Sequence, residues 1–291
     1  MEDKFWGKID KQGSEIWDRD PAFFVPVDNL AKLKLLFYPK KYFLYKFIEN
    51  DIKKTKKESY KILDIGCGTG ANLIDLKNYF GDKVEIFGID VVALQIDIAR
   101  QKLYKYNTKA KVSLYNGVNI DFPDNYFDAI YSSDVLGHVS DVSSWLAEIR
   151  RVAKIDAPVV MFSESALGRQ AIIRNYLLRR GLNSDPHAKF HISLFGKQEL
   201  KQLFKKNSFD IEKMYGVSLL HFFYYPEEFH KALQSQKKFP ILRAINKILF
   251  FSKNKLKPFS LAVIEITCLI ETKILGKFFE AQGYIILGRK K

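Results

Sequence analysis

The sequence is poor in cysteine, with only Cys67 and Cys268 among 291 residues. Two cysteines supply neither a disulfide framework nor a structural zinc site, so we expect a reducing cytoplasmic compartment and no bound metal. The sequence also lacks a basic start followed by an apolar stretch, the pattern of a secretory signal. Its longest uncharged run, 214–226, is well short of the roughly 20 apolar residues that span a bilayer.

Acidic residues are scarce in the last part of the chain, and this is where the positive charge lies. The formal charge is +14, and residues 161–291 hold 23 Lys or Arg against 10 Asp or Glu. The middle of the chain is slightly acidic by comparison. This asymmetry predicts that the two regions face different partners, and it is unlike a uniformly basic nucleic-acid binder.

From about residue 60, short runs rich in Val, Ile, Phe and Tyr alternate with helical stretches, which predicts an α/β fold whose parallel sheet is covered by helices. The predicted strands are 60–65, 84–90, 111–115, 127–133, 158–163, 209–216 and 283–288. The predicted helices are 30–53, 71–80, 92–106, 141–154, 168–180 and 197–206. The predicted regions are an N-terminal helical cap that helps to bind substrate (1–59), a core (60–216), a helical basic insert (217–282) and the last core strand with the C-terminus (283–291).

The glycines of the run KILDIGCGTG at 61–70 follow the first predicted strand directly. Gly66, Gly68 and Gly70 let the backbone turn tightly and present N–H groups and a helix N-terminus to a ligand. Twenty residues later, Asp90 ends the next strand, where an acid can accept hydrogen bonds from both ribose hydroxyls. Loop and acid indicate a nucleoside cofactor, although NAD and FAD proteins share this layout and a plain glycine-rich turn is the alternative.

Asp64 discriminates between these cofactors, because it lies two residues before the first glycine of the loop. A carboxylate there would repel a pyrophosphate but attract the ammonium and sulfonium charges of S-adenosylmethionine. The alternative is an acid that merely ends a strand. We therefore expect S-adenosylmethionine as the cofactor, and the glycine spacing G-x-G-x-G also argues against a nucleotide-dependent oxidoreductase.

Together, ILDIGCGTG, GID at 88–90, FPDNYFDAIYSSDVLGHVSD at 122–141 and WLAEIRRVAK at 145–154 resemble the class I S-adenosylmethionine-dependent methyltransferases. The nearest group is the broad small-molecule (type 11) branch that contains quinone-biosynthesis enzymes. The resemblance covers roughly 58–216 and the last strand, and it is uninformative about the substrate. It implies a Rossmann-like seven-stranded sheet, mostly parallel with the last strand antiparallel, and helices on both faces.

The resemblance also implies roles for single residues. Asp64 and the loop glycines match the motif that holds the methionine end, Asp90 matches the ribose acid, and Asn116 falls where the family has an Asp near the adenine. The residues expected to bind the cofactor are Asp64, Gly66, Cys67, Gly68, Gly70, Asp90, Val91, Asn116, Gly117 and Ser133. Two departures are Gly137, where the family has Glu, and 155–157, where it has a Pro-Gly-Gly turn.

His138 is the candidate general base, because it follows the fourth strand near the open mouth of the sheet. A histidine there could instead shape the pocket, and His187 or His191 are further candidates. Positioning alone can carry most of the rate of an in-line methyl transfer, so a base is needed only if the acceptor must lose a proton. Ser132, Ser133 and Asp134 are expected to line the mouth.

Residues 231–257 carry eight basic groups and no acid, together with an amphipathic helical pattern that starts at Ile241 and ends in Phe250 and Phe251. One interpretation packs the apolar face on the core. Another lays the segment on an anionic membrane surface, with Trp6, Trp17, Phe23 and Phe24 roofing the pocket. Nucleic acid is the third, but no known reading module is present.

The sequence thus predicts a methyltransferase that acts on a small or amphiphilic acceptor. The alternative is a regulatory or scaffold protein that binds S-adenosylmethionine without catalysis, which the missing Glu at Gly137 keeps open. The oligomeric state and the acceptor are not predicted.

Overall fold

The computed structural model describes residues 8–9, 15–16, 18–186, 188–280 and 282–291. Trp6, Trp17 and His187, to which the sequence assigns possible roles, lie outside these ranges.

A seven-stranded sheet forms the centre of the fold and confirms the predicted class. Its strands are β1 (Tyr60–Ile65), β2 (Val84–Asp90), β3 (Ala110–Leu114), β4 (Ala129–Ser133), β5 (Pro158–Glu164), β6 (Phe209–Val217) and β7 (Gly283–Lys290). Their order in space is β3-β2-β1-β4-β5-β7-β6. Only β7 runs against its neighbours, β5 and β6. The central strands are buried on both faces, which explains their nearly continuous apolar sequences.

Helices cover both faces of this sheet. Their bounds are α1 (Pro39–Thr55), α2 (Ala71–Phe80), α3 (Ala93–Lys105), α4 (Val142–Val152), α5 (Ile172–Arg179), α6 (Lys197–Lys206), α7 (His221–Tyr224), α8 (Pro226–Gln234), α9 (Pro240–Lys255) and α10 (Phe259–Leu275). One apolar core joins α1, α2 and α3 to the sheet. A second joins α4 and α6 to the opposite face.

The N-terminal helix differs from its prediction because of a proline. The predicted helix 30–53 is a 3-10 helix, Ala31–Phe37, followed by α1. The ring of Pro39 disfavours a helical conformation of the preceding residue, and Tyr38 is accordingly non-helical, with φ −139° and ψ 71°. α1 buries Leu44 and Ile48 in the core of the sheet, so it covers the sheet, and its first residues also line the cavity described below.

The predicted helix 141–154 is shorter in the structure. Asp141 is its N-cap and accepts a hydrogen bond from the backbone N–H of Ser144 at 3.0 Å. At the other end Ala153 pairs with Phe127 in an isolated parallel bridge. That bridge also explains why β4 begins at Ala129 rather than at residue 127.

The insert between β6 and β7 is helical, as predicted, and comprises α7 to α10. It has a small core of its own, which also includes Leu177 of α5 and is formed by Phe222, Phe229, Leu233 and Phe239. Among the described residues, no helix is both long enough and apolar enough to cross a bilayer.

Candidate cofactor and acceptor site

A cavity of about 1070 Å³ opens at the carboxyl ends of β1, β2, β4 and β5 and extends beneath the helical insert. In open α/β sheets this edge is where ligands bind. Nine of the ten residues predicted to bind the cofactor line the cavity: Asp64, Gly66, Cys67, Gly68, Asp90, Val91, Asn116, Gly117 and Ser133.

The glycine loop turns directly over the end of β2. The N–H groups of Gly66 and Cys67 both donate to the carbonyl of Ile89, at 2.8 and 3.1 Å. Gly66 has φ +74°, and a Cβ placed there would lie 2.2 Å from Cγ2 of Val135. The loop therefore approaches the neighbouring wall too closely for any side chain at this position.

Gly70 is the exception among the predicted cofactor residues, because it does not line the cavity. It precedes α2 with φ +82°, and a Cβ on it would lie 2.9 Å from Cβ of Ala99 in α3. Its role in cofactor binding stays a prediction. Gly70 permits the close packing of α2 against α3.

Asp64 is the most strongly perturbed carboxyl of the loop. It is only 2% exposed, and its hydrogen-bond donor within the protein is the amide of Asn72, at 2.8 Å. Asn72 in turn accepts a hydrogen bond from the hydroxyl of Tyr45, which fixes the orientation of the amide. Burial raises the pKa of Asp64 to about 7 despite this hydrogen bond, so a cation in the cavity would stabilise the ionised carboxylate.

Asp90 faces the loop from the end of β2. One carboxylate oxygen accepts the N–H of Gly68 and the other accepts the N–H of Val92, both at 2.9 Å. Burial raises the pKa of Asp90, while these hydrogen bonds lower it. Each oxygen retains a lone pair, so the carboxylate is held rigidly and can still accept two ribose hydroxyls.

Beyond Asp90, the cavity wall is formed by the turn after β3. The side-chain oxygen of Asn116 accepts the N–H groups of Val118 and Asn119 at 2.9 and 2.8 Å. The Asn116 amide NH₂ is thus the group left to meet a base edge. Gly117, at φ +83°, brings its backbone close to Val91, and Val91 is 54% exposed. These residues fit a flat apolar slot for an adenine.

Two histidines lie together in the cavity wall, with ring centroids 5.2 Å apart. Nδ1 of His138 donates to the carbonyl of Phe190 at 3.1 Å, and Nδ1 of His191 lies 3.0 Å from a carboxylate oxygen of Asp185. Each contact selects the tautomer whose Nε2 carries the lone pair. Either ring is therefore oriented to act as a base. Of the two contacts, that of His191 is with a carboxylate, whereas that of His138 is with a backbone carbonyl.

A carboxyl pair that the sequence did not reveal lies beside these histidines. Lys40 of α1 forms an ion pair of 2.9 Å with Asp134, which follows β4. Lys40 lowers the pKa of Asp134, whereas burial and the neighbouring charge of Asp134 raise the pKa of Glu164 well above its ordinary value. The arrangement thus favours the ionised form of Asp134 and the protonated form of Glu164.

Glu164 lies close to Gly137, where the resemblance leads one to expect a Glu. A Cβ on Gly137 would make ordinary contacts, at 3.6 Å from a carboxyl oxygen of Glu164 and 3.5 Å from the ring of His191. A carboxyl group from β5 is therefore present beside this position.

The far end of the cavity belongs to the insert. Glu228 accepts hydrogen bonds from Arg174 at 2.7 Å and His221 at 2.6 Å, and these two neighbours lower its pKa. Glu265 of α10 also lines the cavity, and burial raises its pKa to about 7. Ionisable groups thus line this end, which the charge pattern of the sequence did not predict.

The predicted aromatic roof is wrong where the structure can test it. Phe23 is buried on α2, where its backbone N–H donates to Asp75 and its ring contacts Tyr79. Phe24 packs beside Tyr106, and neither phenylalanine lines the cavity.

The residues of the cavity fit S-adenosylmethionine. Asp64, a buried carboxyl of raised pKa, suits the cationic methionine end of this cofactor. Asp90, whose carboxylate is held by two hydrogen bonds, suits its ribose, and the exposed Val91 suits its adenine. A pyrophosphate would instead place negative charge beside Asp64.

Comparison with known proteins gives three findings. Residues 62–156 match the family model of a methyltransferase domain. A demethylmenaquinone methyltransferase from Geobacillus sp. (strain WCH70) is 33% identical over 123 residues, which are 41% of this chain, and the chain spans about half of that relative, 52%. Solved structures of other proteins also resemble this chain in fold.

The crystal structure of the [4+2]-cyclase SpnF has a TM-score of 0.53 at 17% identity, covering 84% of this chain and 80% of that one. Phosphoethanolamine N-methyltransferase 2 of Haemonchus contortus, solved with S-adenosyl-L-methionine, has a TM-score of 0.50 at 16% identity, covering 81% and 50%. These likenesses concern the fold, and a cyclase among them shows that the fold alone does not fix the reaction.

Proposed function

We propose that this chain, whose residues 62–156 are a methyltransferase domain of the class I S-adenosylmethionine-dependent superfamily, is an enzyme that methylates a small or lipid-like acceptor. The observation that carries the proposal is Asp64, a buried carboxyl of raised pKa at the carboxyl edge of the sheet. Among the described residues, burial raises its pKa more than the hydrogen bond of Asn72 and the charge of Lys41 lower it, and the cation of this cofactor would further stabilise the ionised carboxylate. Methionine-end contacts at Asp64, ribose contacts at Asp90 and base contacts near Asn116 and Val91 complete the proposed cofactor site.

S-adenosylmethionine, when bound, supplies a methyl carbon that its sulfonium activates for in-line displacement. The protein then has to hold the acceptor atom opposite that carbon and exclude water, and well-oriented reactions gain roughly 7 to 11 kcal/mol from such positioning. Phe162, Leu194 and Val217 supply the apolar part of the acceptor wall. Glu164, in its protonated form, would donate a hydrogen bond to an acceptor oxygen, and Asp134 can accept one.

His138 is the proposed general base, because its tautomer is fixed by Phe190 and it is exposed in the cavity. Its Nε2 would take the proton that an oxygen or nitrogen acceptor loses on methylation. We expect His138→Ala to lower kcat about 100-fold, within the range for general bases, while the Kd for S-adenosylmethionine stays unchanged. Turnover within threefold of wild type would exclude the role.

The variant His191→Ala, measured in the same assay, shows which of the two histidines acts as the base. If His191 only supports the pocket, its removal raises KM more than it lowers kcat, and the pH profile of kcat keeps its acidic limb. If the acidic limb of the kcat profile disappears in His191→Ala and persists in His138→Ala, the base is His191, oriented by Asp185.

The function itself is tested by calorimetry and by transfer. We expect purified protein to bind S-adenosylmethionine but not NADH, and to move a labelled methyl group into the small-molecule and lipid fraction of a cell extract. Binding without transfer would support the alternative, a regulatory or scaffold protein. Absence of binding to S-adenosylmethionine or to its demethylated product would remove both.

A lipid-like acceptor is consistent with the basic segment 231–257, which we propose contacts an anionic membrane surface. The structure disfavours the interpretation that its apolar face only packs on the core: Leu242 and Leu249 reach the small core of the insert, but Ile241 and Ile248 are exposed. Each exposed Lys or Arg near such a surface contributes roughly 1 kcal/mol.

A further inference from the structure

The two long helices of the insert expose an unusual number of apolar side chains. The large exposed ones between residues 241 and 278 are Ile241, Ile245, Ile248, Phe251, Leu256, Phe259, Val263, Ile266, Ile270, Ile274 and Phe278. Single exposed apolar residues are normal on a protein surface, but a dense set of them marks a surface that another body covers.

On α10 these residues form one stripe. Val263, Ile266, Ile270 and Ile274 follow the helical repeat, so they lie on the same side of the helix. The opposite side of α10 carries Cys268 and Thr272, which are buried, and Glu265, which lines the cavity. The helix that walls the acceptor end of the cavity therefore presents its other side, apolar, to the outside.

The exposed charges that α9 and α10 themselves carry are all of one sign. Across 229–279, a stretch that the structure describes completely, the only acids are Glu265 and Glu271. Glu265 faces the cavity, and Glu271 is buried and accepts the backbone N–H of Leu219 at 2.6 Å. The bases that remain exposed are Lys231, Lys237, Lys238, Lys247, Lys255, Lys257, Lys273 and Lys277. The surface is thus apolar and positive, with its acids turned inward.

The 3-10 helix Ala31–Phe37 adds to the same surface, because it packs against α10. Its neighbour Leu30 and its own Leu33 and Phe37 are exposed. This part is distant in sequence from the basic segment, and no pattern in the sequence joined the two.

The geometry points to a monotopic membrane-docking platform made by α9, α10 and the 3-10 helix, which inserts apolar side chains between the headgroups of an anionic bilayer. Charge complementarity selects this occupant: a second copy of the chain would bring a like-charged surface to it, whereas anionic lipid brings the opposite charge. The platform involves more than the electrostatic contact proposed for 231–257, because apolar side chains of α10 and Leu33 of the 3-10 helix insert as well. That the platform delivers a lipid-borne acceptor to the cavity behind α10 rests on the proposed function.

Flotation with vesicles of phosphatidylglycerol in phosphatidylcholine tests the platform. We expect the full chain to float with these vesicles and to remain partly bound in about 1 M NaCl, where the Debye length is about 3 Å and charge alone no longer holds it. The triple variant I266S/I270S/I274S should lose at least tenfold in vesicle affinity and all salt-resistant binding. The control is Ile155→Ser, an isoleucine that is even more exposed and lies before the start of β5, at the amino end of the strand, and it should bind as wild type.

Three results would overturn the platform: no flotation of the wild type at low salt, unchanged salt-resistant binding of the triple variant, or a dimer in sedimentation that the triple variant abolishes while vesicles capture neither protein. The last result would assign the surface to a second copy. Calorimetry with S-adenosylmethionine on the same samples keeps the proposals apart. Intact cofactor binding without flotation removes only the platform, whereas flotation without cofactor binding removes only the methyltransferase.

Discussion

Replacing Asp64 by asparagine is expected to weaken the binding of S-adenosylmethionine about a thousandfold, because removal of one partner of a buried charge pair typically costs 2–5 kcal/mol. The side chain keeps its shape and can still accept the hydrogen bond of Asn72. Only the charge is lost. Calorimetry at neutral pH measures the effect directly.

The same substitution should raise the thermal stability of the cofactor-free protein. Burial raises the pKa of Asp64 from 3.8 to about 7, so the folded state holds its proton where the unfolded state has released it. The contribution of Asp64 to the free energy of unfolding is fully present below about pH 4 and is lost as the pH rises towards 7. Each unit of difference between the folded and unfolded pKa corresponds to about 1.4 kcal/mol. The neutral amide of the variant has no such cost, and the Tm of the variant should exceed that of wild type at about pH 7.5.

The sign of this linkage also predicts how binding depends on pH. Below pH 7 the cofactor must compete with a proton on Asp64, so wild-type affinity should rise with pH by up to about tenfold per unit between pH 5.5 and 7. In Asp64→Asn the dependence should flatten. A steep dependence that survives in the variant would assign the titration to another group.

Asp75→Asn provides the matched control. Asp75 is equally buried, but it lies on α2 outside the cavity, pairs with Lys41 and accepts the N–H of Phe23 at 2.7 Å. Its neutralisation should lower Tm and leave cofactor affinity nearly unchanged, the reverse of the pattern at Asp64. The same response from both variants would mean that Asp64 is only a structural acid.

The sheet was predictable because each of its signals is local. β1, β2, α2 and α6 have the bounds that the sequence predicts, since apolar runs end there at glycine or charged residues. At the start of β4, in contrast, a contact distant in sequence decided the outcome: Phe127 pairs with Ala153 rather than extending β4.

The acceptor side of the cavity was hardly predictable. Lys40, Asp134 and Glu164 come from three separate elements, and nothing in the spacing of the sequence brings them together. One signal was available, because Glu164 ends β5 at the same edge of the sheet as the glycine loop. The platform on α10 was missed for a related reason: the helix is apolar nearly all round, so its sequence does not say which side is buried.

Replacing Gly66 by alanine is expected to destabilise the protein by about 2–5 kcal/mol and to abolish measurable cofactor binding. The new Cβ would lie 2.2 Å from Cγ2 of Val135, and overpacking of this kind costs about 1–3 kcal/mol, to which a left-handed backbone at a non-glycine residue adds about 1–2. Thermal melting and calorimetry measure the two losses.

Gly81→Ala isolates the backbone contribution, because Gly81 has the same φ of +74° and nothing within 4 Å of an added Cβ. Because its ψ of −151° also favours glycine, the substitution should cost about 1–3 kcal/mol, and it should leave cofactor binding intact. Combining Gly66→Ala with Val135→Ala removes the atom that clashes, so the double variant should recover most of the difference between the two glycine variants. If Gly66→Ala melts no lower than Gly81→Ala, the loop yields to the side chain, and a rigid backbone cradle at the end of β1 is no longer a basis for cofactor binding.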